Sequence, residues 1–273
     1  MNVDDSIIIL GSGRSGTTLM QKIIAAIPNT KEISEVGGML FGLYLGGRES
    51  FYNHGLTAEI LGRTNSENKN RAIQAVHDLY INHLGIRSNA QETQWVQKPA
   101  GIPGFLNLAK FEIHESDIIH FPINFYWEVF NDVFKNGKYI IMVRNPWEVI
   151  LSRFIRDKWG QAKMWDHVLK MHALLLSAPE NAQFVFFDDL INNPVDVVSR
   201  LCQNLNLDHP YNLEQVMSAK VYPTKYPDNH EDLKNNMEDI PQEIWEKRWI
   251  IKKLWDQHGK KFESFNKKYS FWD

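Results

Sequence analysis

The residues best suited to chemistry lie near the start of the chain, in the segment SIIILGSGRSGTTLMQKII at residues 6–24. Gly11 and Gly16 have the spacing of the glycines in the phosphate-binding pattern G-x-x-x-x-G-K-[ST], and Thr18 has its hydroxyl position. Thr17 occupies the lysine position, and the cation of the loop is Arg14. Because that lysine normally contacts β- and γ-phosphates, the pattern favours one 5′-phosphate with a second small charged group over a triphosphate.

Two further cations stand at the ends of apolar runs. Arg144 follows YIIMV, with Ser152 eight residues later, and Lys98 follows WVQ. Groups at the carboxyl ends of parallel strands share one edge of the sheet, where α/β proteins bind ligands. The chain lacks His, Cys and Asp clusters at ligand spacings, so no metal is expected.

The elements that must position these residues alternate between strand-like and helical patterns. Strands are predicted at 7–10, 95–98, 118–121, 139–143 and 183–187, and a helix is predicted at 16–27, where Pro28 ends it. This alternation predicts an α/β fold: one P-loop-type domain over residues 1–273, whose central, mostly parallel sheet has helices on both faces.

Several segments interrupt the alternation. Residues 37–55 are rich in glycine and aromatic residues and are predicted to be a surface loop or a mobile, substrate-facing segment. Residues 101–135 are predicted to be a second acceptor-site insertion, and residues 222–241 a mobile polar segment. An amphipathic helix is expected at 247–262.

Composition excludes some classes of protein. The net charge is −3, so no basic field indicates a nucleic-acid partner. The single cysteine, Cys202, cannot form an internal disulfide and favours a reducing compartment. The N-terminal apolar run is too short for a signal peptide or a membrane span, so a cytoplasmic protein is expected.

The motif GSGRSGTTLM resembles the 5′-phosphosulfate loop of sulfotransferases that use 3′-phosphoadenosine 5′-phosphosulfate (PAPS), in the branch that has R-S-G-T-T. Members of that family also have a strand followed by Arg-x7-Ser, which corresponds here to Arg144 and Ser152. The segment FVFFDDL resembles the family's Y-E-D-L segment, with Phe187 in place of tyrosine. The resemblance implies PAPS as co-substrate, 3′-phosphoadenosine 5′-phosphate (PAP) as product, and a donor site formed by Arg14, Ser15, Gly16, Thr17, Thr18, Arg144, Ser152 and Phe187.

The same resemblance implies catalytic roles. Steroid and phenol sulfotransferases have a histidine base in K-T-H; here Lys98 is retained, but Ala100 stands at the histidine position. Protein-tyrosine members place a glutamate shortly after the first helix, which matches Glu35, 21 residues after Arg14. We therefore expect Glu35 as the base, with Glu32 or a histidine as alternatives, and Lys98 and Arg14 as cations that stabilise the leaving group.

The acceptor is expected to be a small-molecule or carbohydrate hydroxyl, because the segment between Lys98 and Arg144 is aromatic and nearly neutral. Two other classes are considered. A kinase-like phosphotransferase would bind ATP and Mg²⁺, which the missing lysine opposes. A non-catalytic nucleotide-binding protein would tolerate the loss of Lys98 and Glu35.

Overall fold

The computed structural model describes residues 6–33, 37–52, 64–85, 94–98, 122–145, 148–149, 152–153, 175 and 178–219. The predicted segments at 118–121, 222–241 and 247–262 lie outside these residues, as do Glu35 and most of residues 101–135.

The architecture is a five-stranded sheet with the strand order β2-β3-β1-β4-β5. Its strands are β1 (Ser6–Gly11), β2 (Thr30–Ile33), β3 (Gln94–Gln97), β4 (Lys138–Val143) and β5 (Gln183–Phe186). The β1–β3, β2–β3 and β4–β5 pairs are all parallel. The predicted α/β fold with a mostly parallel sheet is confirmed.

The strands form where the sequence has uninterrupted apolar runs. Ile7, Ile8 and Ile9 in β1 and Ile140 and Ile141 in β4 are fully buried. Continuous apolar runs of this kind suit strands of a parallel sheet that is covered on both faces. The predicted strands at 7–10, 95–98, 139–143 and 183–187 are confirmed to within one residue at each end.

Helices occupy much of the remaining described chain. They are α1 (Thr17–Ala25), α2 (Gly37–Tyr52), α3 (Asn65–His83), α4 (Pro122–Val133), α5 (Phe187–Asn192), α6 (Pro194–Leu205) and α7 (Leu213–Ser218). Thr64 begins α3 with a capping box, in which its hydroxyl accepts from the Glu67 amide and the Glu67 carboxylate accepts from the Thr64 amide. Pro194 begins α6, where its fixed φ suits the first helical turn.

The chain divides into two compact units, which we describe separately. The first comprises Met1–Ile8 and Asn29–Lys138. Its core packs α2, α3 and α4 through aromatic side chains, with the Phe134 ring 5.6 Å from Trp95 and 6.0 Å from Tyr80 between ring centroids. The Tyr44 hydroxyl of α2 donates to Asp132 of α4 at 2.6 Å, and burial together with this bond raises the Tyr44 pKa.

The second unit comprises Ile9–Pro28 and Tyr139–Asp273. It contains helix α1, all of β4 except its first residue, the whole of β5, and helices α5 to α7. The amide of Tyr211, just before α7, donates to the carbonyl of Ala26 at the end of α1 at 3.0 Å. Val197, Val198, Leu201, Cys202 and Leu205 form the buried stripe of α6.

The prediction of a loop at residues 37–55 is wrong, because Gly37–Tyr52 forms helix α2. Leu40, Phe41 and Tyr44 share the helical spacing of a buried face and are at most 3% exposed. Gly42 and Gly46 face open space, so a side chain at either position would have room. Tertiary burial of one apolar face therefore outweighs the poor helix propensity of glycine.

Candidate functional site

The glycine loop (residues 11–18) connects β1 to α1 through a tight turn at residues 12–15. The Ser15 amide donates to the Ser12 carbonyl at 3.0 Å, and the Ser15 hydroxyl donates to the same oxygen at 2.7 Å. Ser15 is fully buried. Its hydroxyl therefore helps to shape the loop.

Arg14, the third residue of this turn, has a left-handed backbone with φ of 80°. This is the position of a type II turn that requires positive φ and normally holds glycine or asparagine. An arginine here costs roughly 1–2 kcal/mol of backbone strain. Strain of this kind at a side chain with strong donors is often associated with a functional role.

The two sequence motifs meet at Arg14. Its Nε donates to Ser152 Oγ at 2.8 Å, across 138 residues of sequence. Arg144 Nη1 donates to the backbone carbonyl of Arg14 at 3.0 Å. The structure thus brings together three predicted site residues from the loop and from the strand-Arg-x7-Ser motif.

Strand register places Arg144 beside Phe187. Val143 pairs with Phe186 in the parallel β4–β5 ladder, so the next residue of each strand leaves the same edge of the sheet. The Arg144 guanidinium carbon lies 4.5 Å from the centre of the Phe187 ring, within the range of a cation–π contact. Phe187 is the first residue of α5, and its predicted place at the end of the strand is corrected accordingly.

Phe187 also packs on Gly16, the residue that caps the N-terminus of α1. Gly16 has φ of 90°, and a Cβ there would overlap Phe187 Cδ2 and lie 2.8 Å from Cε2. Thr17, which is buried, and Thr18 begin the helix that follows. Gly16 is therefore required both by its backbone conformation and by the ring against it.

The chemistry of the loop suits an anion. Gly16 provides no side-chain cap for α1, and the first turn of α1 contains no acidic residue. The buried Arg144 Nε has no hydrogen-bond partner among the described residues, although Nη2 lies 3.6 Å from Glu148 Oε2. Helix N-terminal amides and guanidinium donors both bind phosphate or sulfate oxygens well.

The predicted catalytic residues of the first unit are placed only in part. Lys98 directly follows β3, as the sequence predicted. The preceding residue, Gln97, is fully buried and accepts a hydrogen bond from the Tyr80 hydroxyl at 2.8 Å. Glu32 is an exposed residue of β2, whereas Glu35 lies outside the described residues. The roles of Lys98 and Glu35 remain predictions.

The sequence interpretation missed Arg153, which belongs to no motif that we used. It is 7% exposed, and its guanidinium lies directly against Gly13 of the glycine loop. Its position next to Ser152 was the available signal, since residues that flank a ligand-binding serine often line the same site.

The described residues contain neither a cluster of metal ligands nor a membrane-spanning helix. No group of three or more His, Cys, Asp and Glu side chains in the described ranges is arranged to hold a metal ion. In the part of the chain that the structure describes, no helix combines the length and the apolar character needed to cross a bilayer.

Sulfotransferases are among the solved structures that this chain matches. The sulfotransferase domain of the Synechococcus PCC 7002 olefin synthase is 17% identical, with a TM-score of 0.51, and the match covers 92% of this chain and 93% of that one. The sulfotransferase domain of the curacin biosynthetic pathway is 17% identical with a TM-score of 0.43, covering 92% and 96%. Sulfotransferase STF9 from Mycobacterium avium is 13% identical with a TM-score of 0.41, covering 94% and 77%. The first of these supports the fold.

Sequence comparison identifies the family. No curated protein matches the chain. The profile of the sulfotransferase family matches residues 6–211, which include the glycine loop, Arg144, Ser152 and α5 to α6. The chain therefore belongs to the sulfotransferase family.

Proposed function

We propose that the protein transfers the sulfuryl group of PAPS to a hydroxyl of a small-molecule or carbohydrate acceptor and releases PAP. The observation that supports this proposal most strongly is the contact between the two predicted donor motifs. Arg14 Nε is 2.8 Å from Ser152 Oγ, and Arg144 Nη1 is 3.0 Å from the Arg14 carbonyl. A nucleoside with phosphates at its 5′ and 3′ positions carries two anionic groups. Adjacent donors from the glycine loop and from the Arg144–Ser152 motif suit the binding of both groups.

Each donor-site residue has a role in this proposal. Gly16, Thr17 and Thr18 would present amides and hydroxyls to the 5′-phosphosulfate, with Arg14 beside them. Ser15 would contribute by holding the turn through its two bonds to the Ser12 carbonyl. Arg144 and Ser152 would bind the 3′-phosphate, for which the Arg144 Nε is an available buried donor among the described residues. Phe187 would hold both Gly16 and Arg144 in place.

The reaction itself is an in-line displacement at sulfur. The acceptor oxygen forms the new S–O bond while its proton moves to a base, for which we propose Glu35. The bond between sulfur and the bridging oxygen breaks, and its electron pair stays on the 5′-phosphate of PAP. Lys98 and Arg14 would stabilise the negative charge that develops on that oxygen. No metal is needed for these steps.

The acceptor class follows from charge. The chain has a net charge of −3, and the segment between Lys98 and Arg144 is rich in aromatic residues with few arginines. An acidic peptide or a heavily sulfated polymer would require a basic cleft. A neutral alcohol or sugar does not require a basic cleft.

We also propose a cytoplasmic location, because the single cysteine suits a reducing compartment.

The donor is tested by ligand-dependent thermal stability. We expect PAP to raise the melting temperature of the full chain, and ATP with Mg²⁺ to raise it less. A saturating ligand at about 100 times its Kd adds roughly 2.7 kcal/mol to stability. Selective stabilisation by ATP with Mg²⁺ would contradict the proposal and favour a phosphotransferase.

Sulfuryl transfer is tested with labelled PAPS and a library of neutral alcohols and sugars. Glu35→Gln should abolish transfer while PAP binding is retained. Glu32→Gln, at the alternative base on an exposed position of β2, should leave transfer intact, and loss of transfer in this variant alone would assign the base to Glu32. Lys98→Ala should lower turnover more than donor affinity, because its cation acts mainly in the transition state. Full transfer activity in both Glu35→Gln and Lys98→Ala would rule out the proposed mechanism.

A further inference from the structure

The backbone conformation at position 13 does not explain why the residue there is glycine. Its φ lies outside the left-handed region, whereas the next residue, Arg14, has φ of 80°. In a turn of this type, glycine is expected at the position that Arg14 occupies. The reason for a glycine at position 13 must therefore be steric.

The steric reason is Arg153. The three atoms nearest to a Cβ built on Gly13 all belong to the Arg153 guanidinium: the Cβ would overlap Nη2, and it would lie 3.1 Å from Cζ and 3.6 Å from Nε. Because Arg153 is 7% exposed, its cation is held in a confined place. Arginine is rarely buried to this degree unless it is paired, so the surroundings of this side chain fix its position against the loop.

The glycine loop also lacks a positive charge that an ordinary P-loop has. Thr17 occupies the lysine position, so that cation is missing from within the loop. Arg14 is one replacement, but its Nε is engaged with Ser152. Arg153 brings a second guanidinium to the loop from outside it, at Gly13, where a side chain would overlap it.

We propose that Arg153 is a positioning residue of the donor loop, which holds the backbone at Gly13 and supplies the positive charge that other P-loops obtain from their lysine. The inference rests on the proposed function, because it assigns the 5′-phosphosulfate of PAPS to this loop. Arg153 acts through the loop: its guanidinium fixes the turn at residues 12–15, and its charge strengthens the binding of the 5′ anion.

The first test compares two substitutions at Arg153. Arg153→Met keeps much of the side-chain volume and removes the charge, whereas Arg153→Lys keeps the charge and removes the planar fork. By calorimetry, we expect Arg153→Met to bind PAP roughly 10- to 100-fold more weakly, the loss typical of a charge-assisted interaction. Arg153→Lys should stay within about fivefold of wild type. A residue that only fills space would give the opposite order.

The second test localises the effect on the nucleotide. Adenosine 3′-monophosphate lacks the 5′-phosphate, so Arg153→Met should change its affinity by less than about twofold. Equal losses for PAP and for adenosine 3′-monophosphate would indicate general damage and overturn the proposal. Arg200→Met provides the control, because Arg200 is exposed on α6.

The third test leaves Arg153 in the chain and is therefore informative even if Arg153→Met fails to fold. Gly13→Ala introduces no left-handed strain, and the overlapping atom is the far end of a long side chain rather than backbone, so the variant should fold with Arg153 displaced. We expect about tenfold weaker PAP binding from Gly13→Ala in the wild-type background and less than about twofold in Arg153→Met, because the overlap is then gone. Gly42→Ala, where a Cβ meets nothing within 4 Å, is the matched control.

The outcomes separate the two proposals. If wild type fails to bind PAP, the proposed function and this inference both fall. If wild type binds PAP and neither Arg153→Met nor Gly13→Ala changes the affinity, only the role of Arg153 is refuted. Additive effects of Gly13→Ala and Arg153→Met would equally refute it, because the two changes must act through the same contact.

Discussion

Substitution of Gly16 by alanine tests the packing at the centre of the donor site. Two costs apply at this position. An L-residue with φ of 90° costs roughly 1–2 kcal/mol, and a methyl group that overlaps Phe187 adds roughly 1–3 kcal/mol of overpacking. Gly16→Ala should therefore lower the free energy of unfolding by roughly 2–5 kcal/mol, a large part of the stability of an ordinary domain.

Gly85 allows the two costs to be separated. It follows α3 with φ of 62°, and a Cβ there meets nothing within 4 Å. Gly85→Ala should therefore show the backbone cost alone, roughly 1–2 kcal/mol. The difference between the two variants measures the overlap with Phe187. In a Phe187→Ala background, Gly16→Ala should cost about as much as Gly85→Ala, because the ring that causes the overlap is absent.

The assay is urea unfolding of the full chain, followed by far-UV circular dichroism and by tryptophan fluorescence, with agreement of the two transitions as the check on two-state behaviour. If Gly16→Ala costs no more than Gly85→Ala, Phe187 does not pack on the loop as the structure describes. The role of Phe187 in holding Gly16 and Arg144 would then be wrong.

Three further predictions concern single side chains. Arg144→Lys should weaken PAP binding by about tenfold by calorimetry, because an ammonium loses both the bond to the Arg14 carbonyl and the stack on Phe187; an unchanged affinity would remove Arg144 from the donor site. Tyr80→Phe should lower the free energy of unfolding in urea by roughly 1–3 kcal/mol, because it leaves the buried Gln97 oxygen without its donor. The control Tyr211→Phe, on the surface, should lower it by less than about 0.5 kcal/mol. Burial, with a smaller effect of the Asp208 charge, raises the pKa of Cys202 from 9.0 to about 11, so Ellman's reagent at pH 8 should react slowly with the native thiol and rapidly after unfolding. Because the pKa of this thiol is higher in the folded state than in the unfolded state, its contribution to the free energy of unfolding is complete below pH 9 and is lost as the pH rises through 11. Fast labelling of the native protein would contradict the burial of Cys202.

The sequence was most informative where local and global preferences agree. Strands β1, β3 and β4 were predictable because each is an apolar run with glycine or proline nearby, and the sheet uses these runs as its strands. Helix α1 was predictable from its helical spacing of apolar residues before Pro28. Helix α2 was not predictable in this way. Its segment GGMLFGLYLGG has poor helix propensity, and the helix forms because Leu40, Phe41 and Tyr44 are buried against partners distant in sequence.

The residues of the proposed donor site were predicted from the sequence, but the contacts between them were not. The resemblance of Arg144 and Ser152 to the Arg-x7-Ser motif of sulfotransferases suggested both residues. The bond from Arg14 to Ser152 joins residues 138 positions apart, and no local pattern encodes it. Arg153 was missed for a related reason, since its contact with Gly13 also joins residues far apart in the sequence and becomes apparent only in the structure.

The left-handed conformation of Arg14 has a consequence for engineering this protein. Backbone energetics alone favour glycine or asparagine at that position. Selection for thermal stability alone, without selection for activity, would therefore favour substitutions that replace Arg14 and remove its guanidinium. Libraries intended to raise thermal stability should keep Arg14 unchanged, because the backbone preference at this residue and its proposed role in sulfuryl transfer oppose each other.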